Sequence, residues 1–409
     1  MPSKNAKGLR SPFGAVSALV LAAAGLGLAV LSLKVAAFHQ SSSAPSLPGV
    51  ARDPGTVLGK AATDLVRLKG ILPPDRLAQV RDAAARAPLD AQSFMVLGHQ
   101  QLLDGKPRQA EATLEAGRRL DPRNRVIHLL LLDRYLRDRR YTDASTEFAV
   151  LSRLVGPAQT QIAIALAQMS QAPETRDAAR RTLQTDPGLE SAVLTTLAGS
   201  KDVPPAVVFD LASPDARRGA GNKGSWGPVL VDRLVAQGQY AQARAVWQRV
   251  HGLDPAQTGA LLYDAELQGL PGSPPFNWTF TADSLGAADK GSNGTLAVTY
   301  YGRASGVLAS QLLVLRPGSY RFRFTVDGKT PAGATLYWSL RCANNDKLEP
   351  MRAVVKGEGP PRALVARFTV PAGCPAQRLT LVGEAGEFPV AINVTLRNLD
   401  LGAVSGSRP

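Results

Sequence analysis

The chain has 409 residues, 44% of them hydrophobic, which excludes a disordered chain, and only 6% aromatic, which argues against an all-β protein. At roughly 150 residues per domain the length predicts two or three domains. The formal net charge of +14 is spread along the chain without a dense basic tail. Such a balance suits acidic lipid, acidic glycan or cell-wall polymer, or serves solubility alone.

Lys4, Lys7 and Arg10 mark a basic tail, residues 1–12, that carries no acid. Phe13 to Leu33 then runs without a charge. Twenty-one helical residues at ~1.5 Å each span about 31 Å, the thickness of a bilayer core. The positive flank precedes the span, so the reading is a signal anchor at 13–33 in a bacterial inner membrane. It passes once, with the N-terminus cytoplasmic and the bulk periplasmic. A cleavable signal peptide is the alternative, with Val35-Ala36-Ala37 as its processing site, but its apolar core is usually shorter, ~7–15 residues. Either reading exports the chain and separates it from nucleic acid. Residues 34–57, rich in Ser, Pro and Gly, read as a flexible linker.

From residue 58 to 270 the pattern is helical. Leu65, Leu68, Leu72, Leu77 and Val80 recur near helical spacing, and Pro73-Pro74 starts a second helix, giving a capping pair. Beyond it a period of 34 emerges: Ala110 maps to Ala144, Leu114 to Phe148, Gln101 to Tyr135 and Gly105 to Arg139. A third copy keeps the same internal spacing, with Gly238, Tyr240, Ala243, Trp247 and Pro255. In each copy a small residue sits where two helices cross closely, and a large one fills the groove a turn later. Glycine opens the turn and proline stops the second helix. With Gly98 and Pro122 in the first copy, these residues resemble the tetratricopeptide repeat, a 34-residue helix–turn–helix unit. Gln101 departs from the pattern, which has an aromatic there, and residues 159–220 keep only Ala178, Leu183 and Asp186-Pro187. The resemblance implies five or six helix pairs forming a solenoid that holds protein partners.

At residues 270–280, LPGSPPFNWTF, proline and glycine rise and alternation at period two takes over. Eight strands are predicted between 275 and 405: 276–281, 295–302, 307–315, 319–327, 334–342, 363–370, 378–383 and 390–399. Pro317-Gly318 and Asp327-Gly328 are read as turns between them. Such a count predicts an antiparallel β-sandwich. The run LLVLRPGSYRFRFTVDG, with Gln311 before it, resembles the jelly rolls of galactose-binding-like and carbohydrate-binding-module domains. The fold class expected is therefore multidomain α + β: transmembrane helix, helical solenoid, C-terminal sandwich.

Alternation sorts the sandwich faces. Tyr320, Phe322, Phe324 and Val326 belong to the core, as do Leu336, Trp338 and Leu340, and Leu296, Val298 and Tyr300. The opposite faces carry Tyr301, Arg321, Arg323, Tyr337 and Arg341. Aromatic rings stack on sugar faces and arginine takes carboxylates bidentately, so on neighbouring strands these five residues would suit an acidic polysaccharide. The alternative is an ordinary solvated sheet face, and a one-residue slip in register would exchange the two faces.

Cys342 and Cys374 are the two cysteines. In an exported chain a single local pair is expected to form a disulfide, with two free thiols as the alternative. His39, His99, His128 and His251 have no metal-ligand neighbours at helical or paired-cysteine spacing, so no metal and no cofactor is expected. No nucleophile elbow, P-loop or dinucleotide fingerprint is found. Glu384 and Glu387 are a close carboxylate pair on one Gly-rich loop, read as solvated.

The expectation is a non-enzymatic scaffold or binding protein, accessory to synthesis or export of an exopolysaccharide or another envelope polysaccharide. Its repeats would hold protein components. The rivals are a protein–protein scaffold for envelope assembly without a glycan ligand, and a hydrolase with a cryptic carboxylate site.

Overall fold

The computed structural model describes residues 53–67, 70–154, 159–254 and 258–404. The basic tail, the apolar segment 13–33, nearly all of the linker and Pro255 lie outside them. Among the described residues no helix is long and apolar enough to cross a membrane. They form 13 helices followed by 11 strands in two antiparallel sheets, a multidomain α plus β chain. The chain divides into two compact units, Met1–Ala158 and Gln159–Pro409.

The first unit holds three helix pairs: α1 (Pro54–Arg67) with α2 (Pro74–Arg86), α3 (Ala91–Leu103) with α4 (Pro107–Leu120), and α5 (Arg125–Arg137) with α6 (Tyr141–Leu154). Local chemistry sets their starts. Asp90 and Asn124 cap α3 and α5 by accepting from the amides of Gln92 and Ile127, and Pro74 and Pro107 open α2 and α4 where their missing N–H costs nothing. Ala110, Leu114, Tyr135, Ala144 and Phe148 are all buried. Gly98 is required where it stands, because a Cβ would come within 2.7 Å of Leu114 Cδ2. Pro122 follows α4, and its carbonyl meets His128 Nε2 at 3.0 Å. Arg134, near the end of α5, pairs with Asp138.

The second unit begins with α7 (Gln159–Met169), α8 (Pro173–Leu183), α9 (Pro187–Gly199), α10 (Pro205–Leu211), α11 (Pro214–Arg218), α12 (Trp226–Ala236) and α13 (Tyr240–Val250). Ala178 and Leu183 are buried on α8, and the Asp186 carboxylate caps α9. Tyr240, Ala243 and Trp247 are buried on α13. Trp247 centres an aromatic cluster with Tyr263 and Phe276, at ring separations of 5.0 and 5.8 Å, and its Nε1 donates to the Ser273 carbonyl at 2.7 Å. The last helix is therefore bound into the segment that enters the sandwich.

One sheet has the order β1-β5-β10-β7-β8, with β1 Thr279–Phe280, β5 Gly306–Leu313, β7 Thr335–Cys342, β8 Met351–Val354 and β10 Gln377–Glu384. The other has the order β2-β3-β4-β11-β6-β9, with β2 Ala282–Asp283, β3 Gly286–Lys290, β4 Thr295–Tyr300, β6 Gly318–Lys329, β9 Glu358–Val370 and β11 Ile392–Ala403. The chain passes repeatedly from sheet to sheet, as in a jelly roll, and the inner faces share one core. That core contains Leu296, Val298, Tyr300, Tyr320, Phe322, Phe324, Val326, Leu336, Trp338 and Leu340. Cys342 and Cys374 are joined in a disulfide, with Cα atoms 5.4 Å apart.

Two buried glutamines act as backbone surrogates. Gln311 accepts from the Tyr263 amide at 3.2 Å and donates to its carbonyl at 2.9 Å. Gln377 accepts from the Leu315 amide at 2.9 Å and donates to the Cys374 carbonyl at 2.8 Å. Each satisfies main-chain groups that no strand reaches.

Strand pairing departs from the sequence reading at Asp327-Gly328, which is not a turn. It lies inside β6, where Gly328 has φ 118° and the pairing with β9 shifts register. A Cβ at Gly328 would stand 2.9 Å from the Asn393 carbonyl oxygen, so the glycine serves close strand packing.

Candidate functional site

The five residues expected on one glycan face are split between the two sheets. Arg321 and Arg323 point outward from β6 in the six-stranded sheet, whereas Tyr337 and Arg341 point outward from β7 in the five-stranded one. Tyr301 lies just past β4, 42% exposed. The physical reason is the connection after β6, which crosses to the other sheet, so strands consecutive in sequence are not neighbours.

On the six-stranded sheet Arg321 faces Arg367 across the β6–β9 pair, and Arg323 faces Asp400 on β11. Asp400 serves both arginines of β6, at 3.9 Å from Arg321 and 3.4 Å from Arg323.

The outer face of the five-stranded sheet is more elaborate. Leu379 and Leu381 of β10 enter the core, so Arg378, Thr380 and Val382 face out. Cross-strand register then builds three rows. Arg378 faces Arg341; Thr380 faces Ser339, which faces Arg352; Val382 faces Tyr337, which faces Val354. Arg341 Nε lies 3.4 Å from Glu349 Oε1, the carboxylate to which the Ser339 hydroxyl donates. Arg378 is exposed, and among the described residues no carboxylate pairs with it. Like charges directly opposite on a sheet repel, so two facing arginines favour an anion between them. Ser339 and Thr380 beside them are buried and bonded within the protein.

Tyr337 is not an open stacking platform. It is 5% exposed, and the Arg352 guanidinium lies 3.8 Å above its ring while bonding Glu384. Arg352, Arg378, Glu349 and Glu384 thus share this face, and the sequence reading gave none of them a role in it. Alternation about Leu379 and Leu381 puts Arg378 outside, but its neighbour is set by the strand order. Glu384, read with Glu387 as solvated, is 47% exposed and also pairs with Arg352.

The first helical unit carries a separate, apolar cavity of about 360 Å³, lined by Leu65, Gly70, Met95, His99, Val126 and Leu130 among others. His99 Nε2 meets the Gly70 carbonyl at 2.9 Å. Gln92 Oε1, also in the lining, is buried without a hydrogen bond. Behind the helices Glu147 is buried between Arg118 and His128 and bonds both.

Among the described residues no group of three or more His, Cys, Asp or Glu side chains stands where it would hold a metal ion. No protein-family model and no curated protein matches the sequence. Solved structures that resemble the chain include tetratricopeptide-repeat proteins over half its length and carbohydrate-binding modules over its C-terminal third. Pseudomonas aeruginosa PilF is 15% identical, covering 49% of this chain and 92% of that one, with a TM-score of 0.28. The N-terminal cellulose-binding domain of Cellulomonas fimi β-1,4-glucanase C is 17% identical, covering 32% and 90%, with a TM-score of 0.23. TmCBM61, solved with β-1,4-galactotriose, is 15% identical, covering 32% and 90%, also at a TM-score of 0.23.

Proposed function

We propose that this chain is a membrane-anchored periplasmic scaffold whose sandwich binds an acidic polysaccharide and whose repeats hold protein components. In this reading it is accessory to synthesis or export of an exopolysaccharide or another cell-envelope polysaccharide, and it binds rather than catalyses. The observation that carries it is the facing pair Arg341 and Arg378 on the outer face of the five-stranded sheet. Guanidinium forks take uronate carboxylates. The Ser339 and Thr380 hydroxyls beside them are buried and bonded within the protein, which leaves the arginines as the groups that meet a ligand. The apolar cavity between α1, α3 and α5 supports the protein-binding part, because it is sized for an apolar side chain of a partner.

The test is affinity electrophoresis of the full, oxidised chain in nonionic detergent, through gels containing neutral or acidic polysaccharides. Retardation by an acidic polymer that survives moderate salt and is lost in Arg378→Glu supports the reading. No retardation, or retardation that salt abolishes for every acidic polymer alike, sinks it and leaves the protein scaffold without a glycan ligand.

A further inference from the structure

A cavity of about 510 Å³ lies away from the Arg341–Arg378 face, where the segment entering the sandwich passes the β3–β4 turn and the irregular part of β11. Its volume is that of a small-molecule site. Glu266, Leu267, Gln268, Lys290, Asn293 and Asn398 line it, together with two glycines. Leu267, Asn293 and Asn398 have φ of 52°, 59° and 55°, and Asp264 behind the wall has φ 48°. Asparagine tolerates this left-handed region, whereas leucine rarely enters it. Three separate chain segments therefore take uncommon backbone conformations around one depression.

The wall is anchored from behind. The Asp264 carboxylate, 5% exposed, accepts from the amides of Gln268 at 2.7 Å and Gly269 at 2.9 Å, and lies 3.5 Å from Lys290 Nζ. The Lys290 charge is thereby balanced, and Glu266 leaves the lining without any excess of positive charge. Hydrogen-bonding capacity remains open. The Asn293 amide has no protein partner among the described residues, and Asn398 makes one long bond of 3.4 Å to Thr325 Oγ1. Lys290 retains donors, and Glu266, which accepts from Gln268 Nε2 at 2.7 Å on one oxygen, retains the other.

We propose that this cavity is a second ligand site, for one uncharged sugar unit held by hydrogen bonds. Each sugar hydroxyl both donates and accepts, which matches a lining of interspersed amides, one ammonium and one carboxylate. An acidic sugar would meet Glu266 without a free cation to balance it, and an apolar ligand would leave the amides unpaired. With no aromatic wall the site binds weakly. It takes a different ligand class from the acidic-polymer face and does not depend on it.

Saturation-transfer NMR on the full chain in nonionic detergent tests this, with methyl β-D-glucoside, methyl β-D-galactoside and methyl α-D-mannoside, and sodium glucuronate as the acidic counterpart. Asn293→Gly removes the amide while keeping the left-handed turn, and Glu266→Ala removes the carboxylate of an exposed side chain. At least one neutral glycoside should give a signal that either variant reduces about fivefold, the loss of roughly one hydrogen bond. That signal should persist in Arg378→Glu, which separates this site from the polymer face. The proposal is overturned by no signal from any neutral glycoside, by a signal unchanged in both variants, or by an equal Asn293-dependent signal from glucuronate.

Discussion

Arg139 adopts the left-handed backbone conformation that Gly105 adopts 34 residues earlier, with φ of 57° against 71°. Both follow the first helix of a pair, and both close it identically. The amide of the residue in question bonds the carbonyl three back, from Leu102 or Leu136, and the next amide bonds the carbonyl five back, from Gln101 or Tyr135. Gly238 repeats the motif with φ 73°. A side chain at such a position costs roughly 1 kcal/mol relative to glycine. Arg139→Gly should therefore stabilise the first unit by about 1 kcal/mol, and Gly105→Ala should destabilise it by a similar amount. Urea denaturation checks both, and a destabilised Arg139→Gly would contradict the repeat alignment.

This equivalence shows why the helical half is legible in the sequence. Ala110, Ala144 and Ala243 each precede by four residues a large side chain that is buried in the structure. The sandwich is less legible. β3 and β8, with sequences GAADK and MRAV, lack the β-branched and aromatic alternation that marks strands, and pairing makes them, β3 between β2 and β4 and β8 on the edge beside β7. For the candidate face, alternation correctly turns Tyr337 and Arg341 outward, yet only the strand order separates them from Arg321 and Arg323. Nothing local shows that Arg352 would roof the Tyr337 ring.

His128 makes the first unit sensitive to pH. Its Nδ1 bonds the buried Glu147 carboxylate and its Nε2 meets the Pro122 carbonyl, so both nitrogens face acceptors and the imidazolium fits best. Burial works against that charge, but the bonds to Glu147 and to the Pro122 carbonyl outweigh it and raise the pKa above its ordinary value. A raised folded pKa gives stability that is complete below about 6.5, the unfolded value, and is lost as pH rises through the folded one. The melting temperature of this unit should thus fall as pH rises above 6.5, and His128→Gln should flatten that fall. Glu147→Ala leaves two cations facing each other and should cost about 3 kcal/mol at neutral pH. A pH-independent melting temperature in the wild type would refute this role for His128.

Gln311 ties the sandwich to chain lying before it. Its amide completes both main-chain hydrogen bonds of Tyr263, whose ring packs on Trp247. Gln311→Leu should leave the Tyr263 amide and carbonyl buried and unpaired, a cost of roughly 2–4 kcal/mol for the two groups. A fragment starting at residue 275 loses Tyr263 and Trp247 altogether and should unfold at lower urea than one starting at 159. Equal midpoints for the two fragments would show that the sandwich does not use these contacts.

The disulfide should matter more than its position near the surface loops suggests. Cys342 ends β7 and Cys374 precedes β10, its neighbour in the five-stranded sheet, with 32 residues of separation. In the chain-entropy account such a loop contributes about 3–4 kcal/mol. Cys342→Ser with Cys374→Ser should lower sandwich stability by that order and lower the retardation by acidic polymer only when the sheet melts. Loss of binding in a still-folded double variant would instead make the 343–350 loop, which carries Glu349, part of the binding surface.

The two arginine pairs separate the sandwich faces experimentally. Arg321 faces Arg367 on the six-stranded sheet, and Arg341 faces Arg378 on the five-stranded one. Arg367→Glu turns a repulsive cross-strand pair into an attractive one while leaving Asp400 to Arg323, so it should stabilise the sandwich by ~0.3 kcal/mol, little because both groups are solvated. It should leave the retardation by acidic polysaccharide within about twofold, because the proposed polymer face is on the opposite sheet. Arg378→Glu should abolish the retardation with a similarly small change in stability. The reverse pattern, with binding lost in Arg367→Glu and kept in Arg378→Glu, would move the polymer to the six-stranded sheet.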